Sequence, residues 1–452
     1  MGIDARDSYD FDLSVHFQSA ADFIHRALSK RGSERRIWVV NMLRLALIFC
    51  LAAVVIMGWP HHEGPEHPQS DQGTTQDTTQ DNSLSLVNTA NKEFAFRLYT
   101  AITSQPESQD KNVFLSPASV SVALAALSIG ARGDTHKQIF TGLGFNSSQL
   151  NQDQVNHVFR GLLDKNVSQD ATQGTAVFVD DKFKTNPEFL DTLKQSYFTD
   201  GFTVDFTKTT ESADTINKYV SDKTNGKIDK MVDSLDETTV MYLLSYIYFK
   251  GKWETPFDPQ STREDTFEVD ENTEVRVQMM GKEDSFEVYY DQAINTSVLH
   301  LPFNSSYSML LMLPTEMETL ERALSPNHVT KWLKWMKSKR FNIFLPKFSI
   351  KTSYSMKKIL SDMGMTDMFG DRADLSGIAV GQKLAVSEVV HKATLDVDET
   401  GATAAAATGV QITLLSYRVV PVLKFNRPFM VLIFNRETQD ILFMGKIINP
   451  NI

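Results

Sequence analysis

The 452-residue chain has a single cysteine, Cys50, placed inside its most hydrophobic run. No disulfide can form within one copy, so secretion has to be argued from other features. Cationic excess is missing too: 45 Lys and Arg stand against 56 Asp and Glu, a formal charge of −11. That balance excludes non-specific nucleic-acid binding through a broad basic face and leaves only a local patch open. Enzyme spacings are absent: there is no Gly-x-Ser-x-Gly elbow, His-Glu-x-x-His helix, glycine-rich phosphate loop or paired-cysteine metal spacing. Neither a cofactor nor a metal is expected, although dispersed catalytic groups stay open. What is present is ordinary globular material, 42% hydrophobic and 22% charged, with no internal repeat.

The apolar run Leu45 to Met57 follows Arg44 and ends before Trp59-Pro60, the layout of a secretory signal. Met42 then reads as the working start, with 1–41 an upstream extension and 42–58 the signal. The rival reading is a signal anchor, since Trp38 to Trp59 spans 22 residues with Arg31, Arg35 and Arg36 on the cytoplasmic side. Residues 59–87 are mostly His, Pro, Gln, Asp, Thr and Ser and read as a disordered leader. His61, His62 and His67 belong to that tail rather than to a metal site. Downstream lie four acceptor sequons for N-glycosylation, at Asn146, Asn166, Asn295 and Asn304. The expectation is a secreted, monomeric glycoprotein.

Residues 88–452 read as one mixed domain. Apolar residues recur at helical spacing in Asn91 to Tyr99, and Ser116 to Ile129 is a nearly all-apolar helix with Pro117 at its start. Thr238 to Phe249 and Phe425 to Met444 are β-branched and aromatic, the second interrupted by a hairpin at Asn435 to Asp440. Helices early and strands late predict an α+β architecture. His391 stands in an alternating apolar strand and reads as a satisfied core residue rather than a general base.

The segment from Thr400 through Tyr417 is small, uncharged and free of proline. Read with period two, Ala402, Ala404, Ala406, Thr408, Val410, Ile412 and Leu414 share one face suited to a core. Alanine propensity alone favours a helix over Ala404 to Ala407, and a flexible linker is a third reading. Gly401, Gly409 and the regular alternation of Val410, Ile412 and Leu414 favour extended backbone. A stretch bounded like a loop is thus written like a core strand.

Phe114-Leu-Ser-Pro-Ala-Ser119, Phe249-Lys-Gly-Lys-Trp253, Asp374-Leu-Ser-Gly377, His391 through Gly401, Phe425-Asn-Arg-Pro-Phe429 and Phe443 through Pro450 occur in that order. In these motifs, over about four fifths of its length, the chain resembles the serpins, and among them the secreted antitrypsin and antichymotrypsin group. The resemblance implies a large central β-sheet with further sheets, about nine helices and an exposed reactive loop. It also implies a mechanism in which a serine protease cuts that loop and the cut loop enters the sheet as a new strand.

On the same resemblance, Glu399, Gly401, Ala402, Ala404 and Ala406 are hinge positions. Counting from Glu399 places the scissile bond at Leu415-Ser416, which points to a chymotrypsin-like protease as partner. Counting back from Phe425 gives Tyr417-Arg418 instead, and Arg418 as bait is a third option. Ser116, Ser119, Ser245 and His391 would form the shutter where the sheet opens, and Trp253 the breach where insertion starts. The family usually has asparagine where this chain has Ser245, and the shorter side chain puts that part of the hydrogen bonding in question. Ser116 and Ser119 also read simply as helix-capping residues beside Pro117. The same group includes hormone carriers, which is the alternative function. A glycosaminoglycan cofactor is not expected, because the helix over Asp134 to Leu143 offers only Lys137, with Arg132 just before it.

Overall fold

The computed structural model describes residues 74–165, 170–381, 383–400 and 419–452. Nine α-helices and fourteen strands lie among them, an α+β arrangement built around two sheets. The helices are α1 (Thr74–Thr103), α2 (Pro117–Ser128), α3 (Gly133–Leu143), α4 (Gln152–Lys165), α5 (Pro187–Tyr197), α6 (Thr209–Lys223), α7 (Met317–Ala323), α8 (Pro326–Trp335) and α9 (Lys357–Asp362). Five strands form one sheet in the order β10 (Phe348–Ser355), β11 (Glu388–Val397), β4 (Met241–Phe249), β2 (Ala171–Asp180) and β3 (Asp200–Val204). A nine-stranded sheet carries β1 (Val113–Leu115), β5 (Arg263–Asp270), β6 (Thr273–Asp291), β7 (Thr296–Pro302), β8 (Tyr307–Pro314), β9 (Lys337–Pro346), β12 (Val422–Lys424), β13 (Phe429–Asn435) and β14 (Ile441–Ile447).

Helix α1 starts at Thr74, inside the stretch read as a disordered leader, and corrects that reading over 74–87. The physical reason lies at the end of the leader. Ser83 and Val87 are buried, and Leu84 and Leu86 pack against the core. Once that packing has nucleated a helix, further turns toward the N-terminus add one hydrogen bond per residue fixed. The other expected elements appear: α2 starts one residue after Ser116, β4 covers most of Thr238 to Phe249, and β13 and β14 form a hairpin around residues 435–440.

Alternation along β4 decides how the two faces of the five-stranded sheet are used. Met241 and Leu243 face the core shared with the helices, Ile247 and Phe249 face the core shared with the larger sheet, and Leu244 and Tyr246 face α6. The cluster between the sheets is aromatic, with Phe249 edge-on to Phe443 at 5.6 Å and Phe443 stacked on Phe114 at 4.9 Å. Each such ring buried stabilises the fold by about 1.5–3 kcal/mol.

Two pairings in this sheet are parallel, β2 with β3 and β11 with β4. Strands β10 and β11 are antiparallel, as are β2 and β4, but β11 and β4 run parallel in register from Glu388↔Tyr242 to Leu395↔Phe249. They are joined by no hairpin. Some 140 residues of chain separate them, so parting them breaks ladder hydrogen bonds but no turn.

Candidate functional site

The core-facing row of β4 reads Met241, Leu243, Ser245, Ile247, Phe249, and that of β11 reads Val389, His391, Ala393, Leu395. A polar pair thus interrupts two apolar rows at the same level. Register places His391 directly across from Ser245, and both are fully buried. The backbone N–H of Ser116 donates to His391 Nε2 over 2.9 Å, which puts the imidazole proton on Nδ1. That Nδ1 lies 3.0 Å from Ser245 Oγ and donates to it across the β11–β4 seam. The question raised by the short serine side chain is answered by geometry: the imidazole supplies the reach. Burial holds the His391 pKa down to about 3, so the ring is neutral and its hydrogen bonds keep this direction at neutral pH.

Ser116 is the N-cap of α2. Its Oγ accepts the backbone N–H of Ser119 over 3.2 Å and donates to Ser119 Oγ over 3.0 Å. The Ser116 side chain thus caps the helix, while its backbone N–H meets His391. The Ser119 hydroxyl in turn donates to Gln173 Oε1 of β2 over 3.4 Å. Gln173 did not emerge from the sequence, because nothing local marks a glutamine in a polar stretch as a partner for residue 119.

At the upper end of the seam β11 is followed by residues 398–400, the last described before 401–418. The Trp253 indole N–H donates to the carbonyl of Asp398 over 2.7 Å, and the Trp253 backbone N–H donates to the carbonyl of Thr400 over 3.0 Å. The indole is stacked on Phe303 at 4.5 Å and is buried. Phe257 N–H donates to the Glu399 carbonyl over 3.2 Å, Lys250 Nζ lies 2.7 Å from Asp398, and Lys347 Nζ lies 2.9 Å from Glu399. Thr262 donates its hydroxyl to Glu399 over 2.8 Å. Burial alone would raise the Glu399 and Asp398 pKa values, but hydrogen bonds to Lys347 and Thr262, and to Lys250 and Thr400, outweigh it and hold both below the usual carboxylate range. Residues 398–400, which lead into the loop, are each tied to a neighbouring strand or turn.

Gly401, Ala402, Ala404, Ala406, Leu415 and Ser416 lie outside the described residues, as do Tyr417 and Arg418. So do residues 42–58, read above as a signal, and Asn166. The chain resumes at Val419, and the Pro421 carbonyl accepts from Asn342 as β12 joins β9. Among the sequons, Asn146, Asn295 and Asn304 are exposed on turns, and Asn146 Oδ1 accepts both the backbone N–H and the hydroxyl of Ser148, 3.0 and 2.8 Å away. Among the described residues no helix is long and apolar enough to cross a membrane. One carboxylate group, Asp180, Asp181 and Asp205, gathers within 4.8 Å. Asp180 is already engaged by the backbone N–H groups of Lys182 and Phe206.

The serpin family model, described as serine protease inhibitor, matches residues 89–450. Alpha-1-antiproteinase 2 of Equus caballus is 40% identical over 364 residues, covering 79% of this chain and 86% of that protein. Alpha-1-antichymotrypsin of Pongo abelii is 38% identical over 413 residues, covering 89% and 96%. Human thyroxine-binding globulin complexed with thyroxine superimposes with a TM-score of 0.76 at 34% identity, covering 82% of this chain and 100% of that one. A parallel seam fastened by a buried serine–histidine pair, a loop tethered at its upper end and this breadth of match lead to one assignment: the chain belongs to the serpin family.

Proposed function

We propose that this serpin is a secreted suicide inhibitor of chymotrypsin-like serine proteases, and that it is not itself an enzyme. The observation that carries the reading is the continuity between β11 and the small, uncharged run Thr400 to Ala407 at the top of a parallel seam. In the proposed mechanism the protease serine attacks the Leu415 carbonyl, the peptide bond to Ser416 breaks, and the new amine leaves with its proton. An acyl ester then links Leu415 to the protease. The freed loop doubles back from Thr400 and enters between β11 and β4, where it runs antiparallel to both. Two antiparallel pairings replace one parallel pairing, which is favourable per residue.

About fifteen residues at roughly 3.3 Å each carry the bound protease roughly 50 Å from where it docked. Its catalytic geometry is distorted before water can cleave the ester. Ala402, Ala404 and Ala406 can enter the sheet with no charge to desolvate, whereas one unpaired charge there would cost on the order of several kcal/mol. Tyr417-Arg418 remains the second candidate bond, also acceptable to a chymotrypsin-like pocket. Three exposed sequons and the apolar run after Arg44 support passage through a secretory route. No glycosaminoglycan requirement is expected from α3, where Arg132 turns its guanidinium onto the carbonyls of Ile129 and Ala131 and leaves Lys137 as the cation on the helix.

Incubation with chymotrypsin tests the proposal. The expected result is a complex stable to boiling in detergent together with a released peptide whose mass begins at Ser416; cleaved inhibitor alone at every ratio rejects it. A second reading, a small-ligand carrier, draws on the structural likeness to thyroxine-binding globulin. Ligand-dependent tryptophan quenching without protease trapping would favour it.

A further inference from the structure

The hydrogen-bonded chain beneath the seam has a direction. The His391 Nδ1 proton goes to Ser245, the Ser116 backbone proton goes to His391 Nε2, the Ser116 hydroxyl proton goes to Ser119, and the Ser119 hydroxyl proton goes to Gln173. Ser119 is 3% exposed, and its hydroxyl proton is directed to Gln173 Oε1. Gln173 Oε1 terminates the chain. Without it a buried donor is left unpaired, and the loss falls on Ser119 and on the Ser116 cap whose backbone N–H meets His391.

The placement of Gln173 on β2 is specific. Thr175 is the register partner of Ser245 and Ile247 that of Gln173, so Gln173 and Ser245 are diagonal neighbours on one face of an antiparallel pair. Both look toward α2. Space for the longer side chain comes from a cavity of about 400 Å³ lined by Ser119, Val122, Gln173, Thr175 and Tyr197 among others. A glutamine reaches from β2 to the helix cap; a serine at 245 reaches only as far as His391.

We propose that Gln173 is a positioning residue for seam opening: it closes, from β2, the network that fastens β11 to β4, and so sets how readily the sheet admits a strand. The inference rests on the insertion reading above and deepens it. Three strands, β11, β4 and β2, are coupled through one helix N-terminus, so the seam responds to a side chain carried by neither of its two strands.

The test uses the full chain and a synthetic peptide with the sequence of residues 402–413 as the inserting strand, with uptake followed by native electrophoresis and by gain of heat resistance. Gln173→Met keeps the volume and removes the amide. It is expected to take up the peptide about fivefold faster than the parent, the order of effect of one hydrogen bond. Ser245→Asn places an amide on the diagonal position and is expected to return Gln173→Met to within about twofold of the parent rate. A role limited to packing β2 on α2 would not be rescued from another strand. An unchanged rate in Gln173→Met, or a fast rate that Ser245→Asn leaves fast, overturns the proposal. Peptide uptake is read without any protease, so a parent protein that takes up peptide but fails to trap chymotrypsin removes the inhibitor reading and leaves this result interpretable.

Discussion

The Lys347 ammonium lies 2.9 Å from the Glu399 carboxylate, joining the turn between β9 and β10 to the last described residues before the loop. Lys347 is 46% exposed and Glu399 13%, so the pair is worth about 1 kcal/mol rather than the larger value of a buried one. Glu399→Gln should lower the unfolding free energy of the intact protein by about that amount. Glu399→Lys should lower it further, and Lys347→Glu in the same chain should recover most of the loss. A reversed pair that recovers nothing in a urea titration would show that the contact is incidental. Because the Glu399 pKa is depressed in the folded state, its contribution is fully present above the ordinary carboxylate value and is lost as pH falls through the lower folded value.

His391 predicts a second acid-sensitive contribution with the same sign. Unfolded histidine takes up a proton near pH 6.5, whereas the buried ring does so only near about 3. Between those values the unfolded state binds more protons, so stability falls on acidification by up to about 1.4 kcal/mol per pH unit. Urea midpoints at about pH 7, 5.5 and 4, compared between the parent and His391→Asn, isolate this contribution. Equal slopes in the two proteins would mean that the ring is not held neutral.

A charge on the inward face of the hinge should separate cleavage from trapping. Ala404→Arg leaves the proposed scissile bond untouched but must desolvate a guanidinium as the strand enters, at a cost on the order of several kcal/mol. Chymotrypsin is expected to cut this variant at the parent rate and to be released active. Detergent-stable complex in parental yield would mean that residue 404 never enters the sheet.

Carbohydrate should be found at Asn146, Asn295 and Asn304 in protein from a secreting eukaryotic cell, each being exposed on a turn. Asn295 adopts φ +44° and its Oδ1 accepts the Tyr290 hydroxyl over 3.1 Å, an acceptor that a glycan joined through Nδ2 leaves in place. Enzymatic deglycosylation followed by peptide mass analysis marks each occupied asparagine as aspartate. A chain with unmodified asparagine at all three would argue against lumenal passage.

Much of the frame is written locally. Ser116 before Pro117 marks a helix start, and the odd-numbered apolar residues of Met241 to Phe249 mark a strand with one face in the core. Polar residues at 245 and 391 stand out because they break those rows. The partners do not stand out. Gln173 meets Ser119 across 54 positions and Lys347 meets Glu399 across 52, and no periodicity links residues so far apart. The early start of α1 escaped for a related reason: Thr74 to Asp81 is polar in composition, and its helix follows from burial of Ser83 and Val87 further along.

The parallel run of β11 beside β4 has an outcome for crowded solutions. On the insertion mechanism proposed above, a neighbouring copy's loop competes with the molecule's own for the place between those strands. Such a donor–acceptor contact is head-to-tail and does not close on itself, so warming a concentrated sample should yield open chains of copies whose length grows with concentration.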